Sequence, residues 1–179
     1  TNFYTDADAD TFGVGTATCQ CAQSGTLSAT KAGDCNDTNA DINPNALEVC
    51  NDKDDDCANG VDDGCDTDKD LYCNSGKLVT PQATCTLTKL PASGTVPGDD
   101  CNDANAKVNP AQTEICGNNL DDDCSGSQND LNAIGCTDFY TDTDGDGWGT
   151  IPKKCLCFGA GLTTATKPGD CLDTDKKVN

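Results

Sequence analysis

The side chains best suited to chemistry are carboxylates, and their first motif places aspartates at alternate positions ahead of an aromatic residue. Carboxylates at positions 1, 3 and 5 of a loop, with a backbone carbonyl at position 7, are ligands that calcium takes in an EF-hand. The sequence therefore predicts three cation-binding loops in which the aromatic residue supplies the carbonyl. The loops comprise Asp6, Asp8, Asp10 and Phe12; Asp66, Asp68, Asp70 and Tyr72; and Asp142, Asp144, Asp146 and Trp148.

None of these loops has the carboxylate that closes an EF-hand at position 12, where Ala17, Lys77 and Lys153 stand. The closing ligand must therefore come from another part of the chain. Aspartates beside a recurring cysteine are the candidates, namely Asp34, Asp37, Asp100, Asp103, Asp170 and Asp173.

The second motif has the EF-hand ligand spacing of 1, 3, 5, 7 and 12. It lacks the turn glycine at position 6, where Ile42 stands, and position 5 is a lysine in the other copies, so position 5 is expected to face solvent. Asn43 followed by Pro44 is typical of a helix start, which predicts a short helical turn through the glutamate. The candidate ligands are Asp37, Asn39, Asp41, Asn43 and Glu48 in one copy, and Asp103, Asn105, Asn109 and Glu114 in another.

The third motif is Asp-x-Asp-Cys followed by further acidic or amide residues. Ser125 suits position 5 of a calcium loop, whereas Ala58 leaves that position without a ligand. The candidate ligands are Asp54, Asp56, Asp62 and Asp63, and then Asp121, Asp123 and Ser125. A single motif of this kind is weak evidence, because solvated acidic loops are common. The opening Asp-x-Asp-x-Asp motif, however, occurs in three copies in register with the cysteines, which favours metal binding, and magnesium is disfavoured because it keeps its own waters.

The composition explains why such loops would matter. The chain has 179 residues, 31 acidic against 11 basic side chains, a formal charge of −20, and neither histidine nor methionine. Leu, Ile, Val and Phe together number 26, too few for a large core. Catalysis through histidine is excluded, nucleic-acid and anionic-membrane binding are disfavoured, and no apolar stretch approaches the roughly 18 residues of a membrane span.

The 15 cysteines are spread evenly along the chain without a C-x-x-C pair. This favours disulfides and an oxidising, extracellular compartment over a thiolate metal site, which needs four ligands around one ion. Which cysteines pair stays open.

Self-alignment shows that the chain is a tandem repeat. A shift of 136 residues places Phe3–Asp6 on Phe139–Asp142, and a shift of 66 places Asp34–Asp37 on Asp100–Asp103. The repeats span residues 1–65, 66–136 and, in part, 137–179. The third holds three cysteines, Cys155, Cys157 and Cys171, which cannot all pair among themselves. We therefore expect either a longer repeat chain or a homopolymer in which another molecule completes the repeat.

The motif order Asp-x-Asp-Gly-Asp-Gly-Trp-Gly, Gly-Asp-Cys-x-Asp, Asn-Pro-x-x-x-Glu-[Val/Ile]-Cys and Asp-x-Asp-Cys resembles the MopE-type metal-binding repeats of prokaryotic secreted and surface proteins. The opening loop is also similar to the calcium loops of thrombospondin type-3 and dockerin repeats. One branch of the MopE-type family is named for copper, which relies on soft or imidazole ligands. Because this chain lacks histidine and methionine, we carry over only the hard-cation interpretation, with several Ca²⁺ ions as cofactors.

The recurring aromatic residue is interpreted as a small core plug, with glycan stacking as the alternative. Asn36-Asp37-Thr38 is the one N-glycosylation sequon, and threonine-rich stretches could carry O-glycans. The expected fold is a small, disulfide-rich calcium-loop repeat protein, mostly irregular, with short hairpins and single helical turns in an elongated array.

The expected function is structural: a calcium-rigidified rod or filament component at the cell surface. The alternative is a calcium-dependent adhesin or a dockerin-like module that binds protein or glycan. No enzymatic activity is expected, because the obvious carboxylate pairs belong to the repeating loops.

Overall fold

The computed structural model describes residues 1–89 and 91–178 and contains two compact units, Thr1–Ala104 and Asn105–Asn179. The described residues form short strands and irregular loops, without a helix. The strands are β1 (Asn2–Thr5), β2 (Phe12–Cys19), β3 (Leu27–Ala29), β4 (Lys31–Ala32), β5 (Val49–Cys50), β6 (Leu78–Val79), β7 (Val96–Pro97), β8 (Thr137–Thr141), β9 (Trp148–Leu156), β10 (Thr163–Ala165) and β11 (Lys167–Pro168).

The first unit opens with a four-stranded sheet of order β3-β1-β2-β4. Strands β1 and β2 form an antiparallel hairpin with Asn2 opposite Cys19, and β4 runs parallel to β2. Gly13 lies where the backbones of the two strands approach closely. A Cβ at this position would collide with the carbonyl oxygen of Thr5. The hairpin connection is the first aspartate loop, so the sheet fixes both ends of that loop.

The second unit contains a sheet of the same design, with the order β10-β8-β9-β11. Asp138 lies opposite Cys155, which is the Asn2–Cys19 pairing displaced by 136 residues. Gly149 has the position of Gly13, and a Cβ there would lie 2.5 Å from the carbonyl oxygen of Thr141. The predicted hairpins and the repeat period of 136 are therefore visible in the backbone.

A three-stranded sheet of order β5-β6-β7 completes the first unit and lies beside its apolar core. That core is small and rich in sulfur. It contains Cys50, Cys65, Cys73, Val79, Cys85 and Leu87.

Disulfides hold twelve of the cysteines. The bonds include Cys35–Cys57, Cys50–Cys65, Cys73–Cys85, Cys116–Cys157 and Cys136–Cys155, and both Cys101 and Cys124 are disulfide-bonded. The disulfide scaffold is thus confirmed, and these cysteines have no thiolate to offer a metal. Cys155 and Cys157 pair with cysteines of repeat two, and the free, exposed cysteines are Cys19, Cys21 and Cys171.

The predicted helical turn after Asn43 is wrong for the described residues. The side chain of Asn43 accepts a hydrogen bond from the Asn45 N–H (3.0 Å), and its carbonyl accepts one from the Ala46 N–H (2.8 Å), which makes one tight turn. The chain then extends into β5, because Val49 and Cys50 pair with β6. The same turn recurs after Asn109, where Ala111 and Gln112 donate the corresponding bonds.

The described residues include no helix with the length and apolar character that crossing a bilayer requires.

Candidate metal centres

The first aspartate loop is shaped by its own carboxylates. Backbone N–H groups of Ala9, Asp10 and Phe12 donate to Asp6, Asp8 and Asp10, at 2.7, 3.3 and 2.7 Å. Ala9 and Thr11 have positive φ angles of 66° and 84°, which curl the loop tightly. One oxygen from each of the three aspartates therefore lies within 4.8 Å of the other two.

The predicted closing residues lie beside this loop. Asp37 accepts a hydrogen bond from the Ala7 N–H at 2.7 Å, which anchors it to the loop backbone. Asp8, Asp34 and Asp37 form a second group of oxygens within 4.8 Å of one another. Asp8 belongs to both groups, so the five carboxylates form one continuous cluster.

The same arrangement occurs at the second loop. Asp66, Asp68 and Asp70 form one group, and Asp68 joins Asp100 and Asp103 in another. Asp103 accepts a hydrogen bond from the Thr67 N–H at 2.8 Å, as Asp37 does from Ala7.

The third loop repeats the hydrogen bonds of the first. Asp173 accepts the Thr143 N–H at 2.6 Å, and the Gly145 and Trp148 N–H groups donate to Asp142 and Asp146. The hydrogen bonds from Thr143 hold the pKa of Asp173 below its usual value. The backbone of Thr143 therefore holds the carboxylate of Asp173 beside the loop.

The clearest feature of these clusters is a set of buried carboxylate oxygens without a hydrogen-bond partner. Asp34, Asp100 and Asp170 each accept one backbone N–H through Oδ1, at 2.7, 2.8 and 2.7 Å, while Oδ2 has no partner. In the middle aspartate of each loop, Oδ2 is likewise buried without a hydrogen-bond partner. These buried, unpartnered oxygens are Oδ2 of Asp8, Asp34, Asp68, Asp100, Asp144 and Asp170.

Burial makes the ionised form of these groups costly. Burial, followed by the charges of neighbouring carboxylates such as Asp70 and Asp68, raises the pKa of Asp100 from 3.8 to about 6. The pKa values of Asp34, Asp68 and Asp144 are also raised, first by desolvation and then by neighbouring carboxylates. A buried charge needs a compensating charge, and a cation between the oxygens would supply it.

A second type of cluster forms around two buried glutamates. Glu48 is 6% exposed, and its Oε2 accepts the N–H groups of Asp55 and Asp56 at 2.9 and 3.3 Å. Its Oε1 is buried without a partner, and Glu48 groups with Asp54 and Asp56 within 4.8 Å. Burial raises the pKa of Glu48 in the same way as at the loops.

Glu114 reproduces this environment in the second unit. It is 2% exposed, its Oε2 accepts the Asp122 N–H at 2.8 Å, and its Oε1 is buried without a partner. Burial raises its pKa, as do the charges of Asp122, Asp123 and Asp121. Asp121 and Asp123 also accept the Ser125 N–H, so this loop turns tightly beneath the glutamate.

The structure divides the second motif between these two cluster types. Asp37 joins the aspartate loop and Glu48 joins the third motif. Ile42, at the position of the EF-hand glycine, is 5% exposed, and its counterpart Val108 is 2% exposed. A buried side chain here turns the chain inward, and the amides on either side of it make local turns. Those amides are Asn39, Asn43, Asn105 and Asn109, and they accept backbone N–H groups of the second residue after them in hydrogen bonds with Asp41, Asn45, Lys107 and Ala111.

Several acidic residues have structural partners of their own. Asp62, a predicted ligand, accepts the N–H groups of Asn51 and Asp52 at 2.8 and 3.0 Å, while Asp63 has one buried oxygen without a partner. Sequence reasoning missed Asp55, which is 7% exposed and accepts bonds from the Val49 N–H and the Asn51 amide. The sequence signal for it was the unbroken Asp54-Asp55-Asp56 run.

The recurring aromatic residue packs against a lysine. The Lys31 ammonium lies 4.7 Å from the ring centroid of Phe12, and the Lys167 ammonium lies 5.2 Å from that of Trp148. Phe12 is also buried, at 7% exposure. The core-plug interpretation fits this packing, whereas a glycan would have to compete with the lysine for the ring face.

The donor set of every cluster consists of oxygen atoms. Oxygen ligands of this kind suit calcium, magnesium and manganese, whereas copper sites use imidazole, thiolate or thioether donors. The sequence contains no histidine and no methionine. The clusters therefore define a disulfide-bonded protein with candidate metal centres built from oxygen donors.

Two segments of the chain, residues 34–63 and 100–130, match the family model Cu-binding_MopE, described as "Putative metal-binding motif". The chain therefore carries two copies of this motif, which confirms the resemblance read from the sequence. The matched segments contain Asp34, Asp37 and Glu48 and their counterparts Asp100, Asp103 and Glu114. No curated protein and no solved structure matches the chain significantly.

Proposed function

We propose that this chain is an extracellular structural protein whose tandem repeats bind calcium and assemble into an elongated rod or filament at the cell surface. The family match and the acidic clusters support metal binding, and the disulfides suit an oxidising compartment. Calcium, the rod and the surface location are parts of the proposal. It includes no catalytic role.

The observation that carries the proposal is the set of buried carboxylate oxygens without hydrogen-bond partners. They recur at equivalent positions, as Asp8 with Asp34, Asp68 with Asp100 and Asp144 with Asp170. A carboxylate oxygen that has lost water and gained no donor is strongly destabilising. Repetition of this pattern indicates that a cation completes each cluster.

Calcium is favoured over other hard cations by the number and type of the ligands. The first and second loop clusters each bring five carboxylates near one another, and calcium takes six to eight oxygens in a flexible geometry. Magnesium prefers few protein ligands and several waters. Extracellular calcium is abundant enough to fill even millimolar sites, so binding would stabilise the fold by mass action.

Thermal unfolding of the oxidised chain tests this proposal. The transition should be recorded in EDTA and then with millimolar calcium, magnesium or copper(II) at the same ionic strength. We expect calcium to raise the melting temperature most, because a ligand at 100 times its dissociation constant adds about 2.7 kcal/mol per site. An unchanged transition in calcium, or a larger increase with copper, would refute the proposed metal.

Small-angle scattering tests the rod. A calcium-loaded chain should give the scattering of an elongated particle, with a larger radius of gyration than a sphere of the same mass. A compact particle in calcium would contradict the rod while leaving calcium binding in place.

A further inference from the structure

Two β-hairpins among the described residues, β1–β2 and β8–β9, match in sequence and register, but their cysteines differ in bonding state. In the first, Asn2 lies opposite Cys19, and in the second, Asp138 lies opposite Cys155. Each hairpin ends in Cys-x-Cys, at Cys19/Cys21 and at Cys155/Cys157. The second hairpin therefore shows how a Cys-x-Cys pair at this end of a hairpin is bonded when partner cysteines are present.

The second pair is bonded to the segment that precedes it. Cys155 pairs with Cys136, and Cys157 pairs with Cys116. The two bonds attach the hairpin end to residues 114–136, which we term the docking segment. Its sequence runs from Glu-Ile-Cys to Gly-Cys.

Hydrogen bonds accompany these disulfides. The Asn132 N–H donates to the carbonyl oxygen of Cys155 at 2.9 Å. The side chain of Asn129 both donates to the carbonyl oxygen of Phe158 and accepts its N–H, each at 3.0 Å. The docking segment therefore contacts the backbone within the cysteine pair and directly after it, and the contact does not depend on the sulfur atoms alone.

The first pair has the same backbone but no bond. Cys19 and Cys21 are exposed and free, and the residue equivalent to Phe158 is the exposed Ala22. They are also poorly placed to bond each other. Residues two apart at the end of a strand are separated by about 6.6 Å, while the Cβ atoms of a disulfide lie about 3.8 Å apart.

The docking segment also exists in a closed form in repeat one. Cys50 and Cys65 follow the same Glu-[Val/Ile]-Cys and Gly-Cys patterns, but they bond to each other. The N–H of Cys65 donates to Asp62 and that of Cys136 to Ala133, so both cysteines end the same turn. Such a segment therefore bonds internally when no Cys-x-Cys hairpin follows it, and to the hairpin when one does.

We propose that the Cys19/Cys21 end of the first hairpin is a covalent docking site for a polypeptide segment of the docking-segment type. Cys19 bonds the cysteine of the Gly-Cys pair, and Cys21 bonds the cysteine of the Glu-[Val/Ile]-Cys triplet. An asparagine of the same segment hydrogen-bonds the backbone of Ala22. A second intact copy of the chain does not fit, because its own Cys116 and Cys136 are already bonded.

Each new bond forms by thiol–disulfide chemistry. The two thiols lose two protons and two electrons to a disulfide oxidant, which is reduced to two thiols. Oxidised glutathione supplies this oxidant in the experiment below and leaves as two molecules of reduced glutathione.

The test uses the full chain with Cys171→Ser, which removes the third exposed thiol. The probe is a synthetic peptide of residues 105–136 with Cys124→Ser, so that only two cysteines remain. The chain and peptide are equilibrated in a glutathione redox buffer, and the products are digested and mapped by mass spectrometry. The controls are a scrambled peptide with the same cysteine positions, and a chain with Cys19→Ser and Cys21→Ser.

We expect a one-to-one adduct with the bonds Cys19–Cys136 and Cys21–Cys116, formed at least ten times more than the adduct of the scrambled peptide. The chain with Cys19→Ser and Cys21→Ser should form no such adduct, and its own disulfides should map unchanged. Equal yields with both peptides, the crossed pairing, a Cys19–Cys21 bond or disulfide-linked dimers of the chain would each overturn the proposal.

Discussion

Replacing Asp100 with asparagine should change stability in opposite directions with and without calcium. Asp100 is fully buried, its Oδ1 accepts the Asn102 N–H at 2.8 Å, and its Oδ2 has no partner. Asparagine keeps the shape and the oxygen that accepts this N–H. It removes the negative charge and replaces the unpartnered Oδ2 with an amide NH2 group.

The magnitude follows from the pKa of the carboxyl group. Burial, together with neighbouring carboxylates, raises this pKa from 3.8 to about 6, so ionisation at pH 7 destabilises the cation-free fold by at most about 3 kcal/mol, and by less after solvent screening. In EDTA the Asp100→Asn chain should therefore melt several degrees higher than the parent. In calcium the variant lacks a charged ligand, so the affinity of that site should fall at least tenfold.

Calorimetry in the two buffers is the assay. The control is Asp52→Asn, which removes the same charge from an exposed aspartate whose positive φ of 67° asparagine tolerates. We expect the control to match the parent in both buffers. If Asp100→Asn lowers the melting temperature in EDTA, or leaves the calcium increment intact, the buried oxygen is not a cation ligand and the reasoning is refuted.

Four other outcomes can be checked. Glu48→Gln should reduce the number of bound calcium ions by one in a calorimetric titration, because the Oε1 charge is lost while Oε2 can still accept; an unchanged stoichiometry would contradict this. Burial raises the carboxyl pKa values, so lowering the pH from 7 through about 6 should stabilise the chain in EDTA. The same change should reduce the increase in melting temperature that calcium causes. The opposite trend would exclude these clusters as the calcium sites. Gly149→Ala should cost about 1–3 kcal/mol in chemical denaturation, because its Cβ would meet the Thr141 carbonyl; no loss would mean that the hairpin can relax. Replacing Cys50 and Cys65 with alanine should cost roughly 3 kcal/mol for a loop of 15 residues, and an unaffected midpoint would show that the sulfur-rich core is dispensable.

Much of the candidate site could be predicted because its ligands are local and repeated. Asp6, Asp8 and Asp10 are held by a loop of a few residues, and the loop's sequence carries that information. The involvement of Asp34 and Asp37 followed from the missing carboxylate at position 12. The structure places both beside the loop, as the sequence predicted, although metal binding itself stays a prediction.

The rest depends on contacts between distant parts of the chain. The EF-hand spacing from Asp37 to Glu48 predicted one loop, but Ile42 is buried and Glu48 caps the backbone of Asp55. The helical turn failed because strand pairing with β6 extends the chain after one turn. Local propensity carries no information about either contact.

Disulfide pairing was also beyond the sequence, and it has a consequence for how such chains can evolve. A docking segment bonds internally, as at Cys50–Cys65, or to a following Cys-x-Cys hairpin, as at Cys116–Cys157. Both states use an even number of thiols. Duplication, deletion or reordering of repeats by recombination within a gene would therefore leave every docking segment able to find partners. The number of repeats can therefore change without leaving the cysteines of a docking segment unpaired.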